Sequence, residues 1–369
     1  MVVPLKNEIK DFARSQGADL VGVAGVEDYC DYLAEVRQRS RETAAKLEDY
    51  MVPRSDTSFF ERLSRPRETL PDARAIIILG VGAYDKNAVY TNLRQQLRGK
   101  IARTYSCYPV VRQIAGKVAD FIEERGYKAV PGQDVPLKFV ADRIGLGAYG
   151  RNGLLLTEQC GSYVGFRSVV TDMPIAPDRF EKMTPPCDDC ELCLQACPTR
   201  ALYAPYKVNP RLCINPLTRK QEYIQPEVRL KMQNWICGCD ICQEVCPVNK
   251  KLVVRDVDPR SGFDSLHHAS HKYLDNIERA PLLTDVLGEA YPDVIRRNAS
   301  IALANIGKGD PQTHSFAFGG PKARAEALEA LKTSLAGAKG QLKRYYLWAI
   351  STLQDTEIAG IDPGTCQER

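Results

Sequence analysis

Eight cysteines in two spaced blocks constrain this chain more than any other feature. The first block is Cys187-x-x-Cys190-x-x-Cys193-x-x-x-Cys197-Pro198, and the second is Cys239-x-x-Cys242-x-x-x-Cys246-Pro247. The first block reproduces the bacterial ferredoxin run, with three close thiolates and a fourth before proline. Three close thiolates wrap one 4Fe–4S cube, and the fourth is turned towards a second cube. The second block supplies two close ligands and a distant one, so it lacks a local cysteine, and Cys213 is the obvious donor. The crossing pattern assigns Cys187, Cys190, Cys193 and Cys246 to one cluster. It assigns Cys197, Cys213, Cys239 and Cys242 to the other. Cys237 is left over and could substitute in the second cluster. A zinc ribbon also uses paired Cys-x-x-Cys, but eight ligands and two C-x-x-x-C-P endings argue against it.

The remaining composition narrows the compartment and the partners. Only Cys30, Cys107, Cys160 and Cys366 of the 13 cysteines lie outside the 187–246 segment. Clustered Cys-x-x-Cys in a long chain points to metal rather than to a disulfide framework. Met1–Lys6 lacks a basic start followed by a long apolar core, and no apolar run reaches the roughly 18–20 residues of a membrane helix. A cytoplasmic location is the expectation. Net charge is +4, and charges nearly cancel over 270–369. A nucleic-acid site would therefore be a local patch. The four histidines, His267, His268, His271 and His314, give poor support for a histidine-ligated haem or iron. There is no D-x-H-x-x-G, so a corrinoid bound through histidine is not expected.

Apolar spacing predicts a helix over 5–15, a buried strand over 18–24, a strand over 75–81 and an amphipathic helix over 109–126. Short strands are expected at 154–157 and 164–172, on either side of Gly161-Ser162. Alternating helices and strands suggest an α/β domain around a central sheet. Gly145, Gly147, Gly150 and Gly153 let backbone approach a flat ligand closely, or else make a tight helix-to-strand connection. There is no phosphate-loop motif. Ile295–Leu303 is echoed by Leu342–Ile350 at an offset of 47 residues, within the HEAT/armadillo period. The expected class is α+β, with an α/β domain over 1–180, a ferredoxin-like domain over 181–260 and HEAT-like helices over 261–369.

That order of parts resembles the epoxyqueuosine reductase family, which is related to the reductive dehalogenases. The most specific pieces are Ile144–Leu156, Arg211–Thr218, Gly238–Pro247 and Arg297-Asn298. The resemblance implies an α/β domain of nitroreductase/dehalogenase type and a cobalamin held base-off. Gly145, Leu146, Gly147, Tyr149, Gly150, Asn152 and Gly153 would be cofactor contacts. It also implies electrons passed from the clusters to cobalt, a protein acid, and epoxyqueuosine in a tRNA anticodon as substrate. The family's catalytic Asp position falls on Pro131 here, with Asp134 three residues later. Asp134, Tyr108 and Cys107 are the candidate acids. Arg296, Arg297, Lys343 and Arg344 are candidate phosphate contacts, or a solvated helix face. A ferredoxin or flavodoxin would be the external donor. Two other readings stay open: an electron-transfer protein that reactivates a corrinoid protein, and a dehalogenase-like reductase of a small molecule.

Overall fold

The structure is a computed structural model, and its description covers residues 2–27, 29, 31, 32, 34, 62–83, 97–132, 135–178, 183, 184, 187–252, 282–308 and 320–355. Helix α1 (Val2–Ser15) leads into strand β1 (Leu20–Ala24), and β2 (Ala75–Gly82) follows. Next come α2 (Thr104–Glu123), β3 (Ala129–Gly132), α3 (Leu137–Arg143), the short strands β4 (Ala148–Tyr149) and β5 (Leu155–Leu156), and β6 (Val164–Thr171). Four of these strands form one antiparallel sheet in the order β1-β2-β6-β3.

The residues of β2 explain its place inside the sheet. Ala75 through Val81 are all buried, so both faces of the strand need cover. Alternation divides them. Ile77 and Leu79 face a core built with Ile9 and Ala13 of α1 and Val111, Ile114, Val118 and Ile122 of α2. Ile76 and Ile78 face Phe139, Val140 and Ile144 from α3, with Leu146 and Leu155. Gly22 in β1 lets that second layer approach, because a Cβ there would lie 2.7 Å from Ile144 Cδ1. Pro131 pairs with Val169 at the sheet edge, where a residue with no N–H is tolerated.

Helix α2 starts at Thr104 rather than near 109. Cys107 and Tyr108 are therefore helical, not part of a loop before the helix. Pro109 lies within the helix and removes one backbone bond.

The second half is organised around a separate core. Short helices α4 (Leu192–Ala196), α5 (Ile214–Leu217) and α6 (Pro226–Lys231) precede strand β7 (Trp235–Cys237), and α7 (Ile241–Glu244) and α8 (Pro247–Lys250) follow it. Then come α9 (Leu283–Val286), α10 (Asp293–Lys308), α11 (Gly320–Leu335) and α12 (Gly340–Gln354). The two copies of the 47-residue echo fall on α10 and α12, which pack on each other and on α11. One hydrophobic cluster joins these helices to Ile214, Leu217, Trp235 and Ile236, and to Leu97 and Ile101. Lys100–Ile101 also pairs in parallel with β7.

Replacing Ile77, which is fully buried, by Ala is expected to destabilise the sheet half by about 2–5 kcal/mol. A lowered denaturant midpoint, followed by circular dichroism, would register that loss.

Candidate iron–sulfur centre and adjoining cavity

The cysteine blocks fold into tight turns that set where each thiol points. Cys190 N–H donates to the Cys187 carbonyl at 2.8 Å, closing the first turn. Cys197 (φ −67°, ψ 108°) and Cys246 (φ −69°, ψ 123°) are both extended. Each precedes a proline, which excludes the helical conformation from the residue before it. The chain therefore leaves the turn at each of these cysteines. Cys213 is extended as well and begins α5.

The result is two groups of four thiols. Cys187 lies within electrostatic reach of Cys190 and Cys246, and Cys193 of Cys187 and Cys246. Cys213 faces Cys197, and both Cys239 and Cys242 face Cys213 and Cys197. Cys237 belongs to neither group. It is fully buried in β7, and burial pushes its thiol up to about 12 while a bond with Tyr105 opposes the shift. Among the described residues, no three Cys, His, Asp or Glu side chains are grouped closely enough to hold a single metal ion. A cube ligated at its corners needs its thiols further apart.

Backbone N–H groups point at several of these sulfurs. Arg151 serves Cys187, Asn215 serves Cys213, and Ile241 serves Cys239. Burial still wins, raising Cys193 and Cys213 to about 11 and Cys239 and Cys242 well above their ordinary value. Four thiolates together in such a site require a compensating positive charge, and iron supplies it.

A cavity of about 390 Å³ adjoins one group only. Cys197, Cys213, Cys239 and Cys242 all line it, together with Tyr108, Leu155, Val164 and Phe166 from the sheet half. Tyr108 is held between Gly165, where a Cβ would come within 3.1 Å of its ring, and Tyr105, whose ring stands edge-on at 5.8 Å. Burial raises the Tyr108 phenol, as does Cys107, while Arg219 and Arg167 pull it down. Tyr108 therefore keeps its proton at neutral pH. Lys138 and Arg219 are exposed and contribute to the lining.

The glycine-rich block divides between packing and lining. Gly145 has φ +71°, ending α3. Leu146 belongs to the sheet core, and Tyr149 packs against it. Gly147 and Gly150 admit Leu155 and Leu156, with which a Cβ would clash. Of the seven expected cofactor contacts, only Asn152 and Gly153 line the cavity. Arg151 was not singled out in the sequence, yet it donates to the Asp188 carbonyl at 2.6 Å and to Glu191 Oε1 at 2.9 Å. It thereby ties this block to the first cysteine turn. Its place between Gly150 and Asn152, both expected cofactor contacts, was the available signal.

Asp240, between Cys239 and Cys242, is also buried and bonded. Its carboxylate accepts from Arg103 N–H at 2.8 Å and from Gln243 at 2.6 Å. Burial pushes it up to about 6, against the pull of Arg103. Gln243 and Asn249 bond Ser162, so the second cysteine block is docked on the sheet half.

Arg296 and Arg297 need correction as phosphate contacts. Both are buried. Arg296 donates to the Leu287 carbonyl and pairs with Asp293, and Arg297 donates to the carbonyls of Leu217, Lys220 and Glu222. Their guanidinium groups are used inside the fold. Lys343 is exposed and Arg344 half-buried. Asp134 lies outside the described residues, as do all four histidines, Cys30 and Cys366.

The thiol shifts carry a pH consequence. A thiol raised from 9 to about 11 in the folded apoprotein holds its proton longer there than in the unfolded chain. The folded state thus binds more protons above pH 9, and stability falls as pH rises from 9 through 11. Thermal unfolding of iron-free protein across this range should show the decline. Loading iron, which displaces those protons, should abolish it.

Residues 186–249 match the family described as a 4Fe-4S double cluster binding domain. An epoxyqueuosine reductase of Pseudomonas aeruginosa is 30% identical over 371 residues, covering 94% of each chain. That of Staphylococcus aureus is 31% identical over 267 residues, spanning 67% of this chain and 65% of its own length. The chain thus aligns with slightly under two thirds of that relative. A crystal structure of epoxyqueuosine reductase with an epoxyqueuosine-modified tRNA-Tyr stem loop has the same fold. Its TM-score is 0.69 at 24% identity, covering 96% of this chain and 100% of that one. Among the described residues no helix is long and apolar enough to cross a membrane. With its paired thiol groups and its near full-length match at 30% identity, this chain belongs to the epoxyqueuosine reductase family.

Proposed function

We propose that the protein is an iron–sulfur reductase that removes the epoxide oxygen of epoxyqueuosine in tRNA. The observation that carries this reading is the one-sided placement of the cavity: it touches Cys197, Cys213, Cys239 and Cys242 and none of Cys187, Cys190, Cys193 or Cys246. The first four would hold the 4Fe–4S cluster facing the reaction, and the second four the cluster that receives electrons from a ferredoxin- or flavodoxin-like donor. Converting the epoxide to an alkene and water consumes two electrons and two protons. One-electron centres in series suit that demand when the electrons arrive singly.

The cavity also suits the cofactor that the family resemblance implies. Gly153 brings backbone to the lining without a side chain, and apolar Leu155, Val164 and Phe166 form one wall. A base-off cobalamin, when bound there, supplies low-valent cobalt as the electron donor to substrate. Asn152 and Gly153 are the contacts for it supported by the lining. Gly145, Leu146, Gly147, Tyr149 and Gly150 would act indirectly, by shaping the loop. Tyr108 keeps a proton at the cavity wall and Asp134 is the second candidate acid. A general acid near the leaving oxygen is the usual requirement for such a step. Lys343 and Arg344, on a HEAT-like helical cap, remain candidate phosphate contacts, and the reaction would take place in the cytoplasm.

The test uses anaerobically reconstituted protein. Added cobalamin should change its visible spectrum on binding, and the loaded protein should convert an epoxyqueuosine-modified stem loop. Tyr108→Phe and Asp134→Asn should each leave cobalamin binding intact. Loss of a general acid is expected to slow turnover about 10²–10⁴-fold. Cobalamin binding without any conversion of the stem loop would instead favour a small-molecule substrate.

A further inference from the structure

We infer that Arg297 and Asn298 on α10, acting through Thr218, are positioning residues for the cluster held by Cys197, Cys213, Cys239 and Cys242. This inference rests on the assignment of that thiol group to a cluster.

The bonds around the pair are complete and directed at one place. Arg297 Nη1 donates to the carbonyls of Lys220 (2.7 Å) and Glu222 (2.9 Å). Its Nη2 donates to the Leu217 carbonyl (2.8 Å) and to Asn298 Oδ1 (2.9 Å), and Nε donates to the same Oδ1 (3.1 Å). All five guanidinium donors are used. Asn298 Nδ2 then donates to the carbonyls of Thr218 (2.7 Å) and Ile236 (2.8 Å). Asn298 is 0% exposed and Arg297 is 4% exposed.

These acceptors flank two ligand cysteines. Leu217 and Thr218 end the α5 segment that Cys213 begins, and Ile236 lies in the strand running into Cys239. Thr218 joins the two segments directly. Its hydroxyl donates to the Asn215 carbonyl at 2.7 Å and accepts from Gly238 N–H at 2.7 Å. Asn215 and Ile241 in turn supply the N–H groups aimed at the Cys213 and Cys239 sulfurs. A helix some 60–80 residues away in sequence thus sets the spacing of two cluster ligands and the direction of the N–H groups at their sulfurs. Both are recognised means of tuning an iron–sulfur centre.

A buried guanidinium is costly when its partners are neutral carbonyls. Hydrophobic residues could join α10 to its neighbours without that cost. What they could not do is hold four named acceptors in fixed relation, which a planar fork can. The first thiol group has no such tie to α10 among the described bonds; its contact is Arg151.

The test compares wild-type full-length protein with Asn298→Ala, Arg297→Lys and Thr218→Val. Each is reconstituted anaerobically with ferrous iron and sulfide. Cys190→Ala and Cys242→Ala mark the two clusters. Iron per chain, the paramagnetic resonance signal of each reduced cluster and its midpoint potential are measured. Wild type should take up about eight iron atoms. The signal removed by Cys242→Ala should be lost or moved in potential in all three variants, with iron falling towards about four where it is lost. The signal removed by Cys190→Ala should stay in place. If wild type takes up markedly less iron, or the two cysteine variants do not remove separate signals, the two-cluster assignment itself fails. If that assignment holds but the cavity-side cluster is unchanged, the positioning role is overturned. Equal loss of both clusters, even in the near-isosteric Thr218→Val, would also overturn it, because that pattern marks general support of the fold.

Discussion

Gathering four thiols in a partly buried space is the constraint on which the rest of the structure depends. Burial opposes their ionisation, and each neighbouring thiolate opposes it further. Iron ligation supplies the missing positive charge, but only where four sulfurs meet in the correct arrangement. The chain meets that condition with local devices. Prolines after Cys197 and Cys246 hold those residues extended, and backbone N–H groups are aimed at the sulfurs. Polar ties then fix the turns from outside: Arg151 near the surface on one side, and buried Asp240, Gln243 and Asn249 on the other.

The sheet half gives the second thiol group something to face. Strand β2 is apolar enough to require cover on both faces, which places α2 on one side and α3 with its following hairpin on the other. The start of α2 then presents Tyr108 to the cavity. The hairpin after α3 presents Asn152 and Gly153. The glycines around them serve mainly to let Leu155 and Leu156 pack closely.

The helices after residue 282 bear on the same centre from below. Arg229 stacks among Tyr223, Tyr345 and Trp348, at 4.7–5.2 Å from their rings. Arg297 stands 5.8 Å from the Tyr345 ring as well. Cation–π contacts of this kind gain strength when desolvated. They join the helical cap to the segment between Cys213 and Cys239, so the cap and the cysteine-rich segment share one core.

Several parts were legible in the residues alone. Cysteine spacing led to the expectation of two groups of four with Cys197 and Cys246 crossing between them, because proline restricts its predecessor wherever it occurs. The runs at 18–24, 75–81 and 164–172 pointed to strands, and the structure has strands at Leu20–Ala24, Ala75–Gly82 and Val164–Thr171. Local pattern said less about Thr104–Tyr108, because apolar spacing pointed to a start near residue 109. It also misplaced Arg296 and Arg297, because an arginine on an amphipathic helix reads as solvated unless its partners are known. The partners of Arg297, at Leu217, Lys220 and Glu222, are distant in sequence and are backbone carbonyls, which leave no mark in residue type. The sequence by itself therefore determined the ligand chemistry and the apolar strands. Only the tertiary structure decided which thiol group borders the cavity and which buried side chains hold it, since both depend on groups brought together by long-range packing.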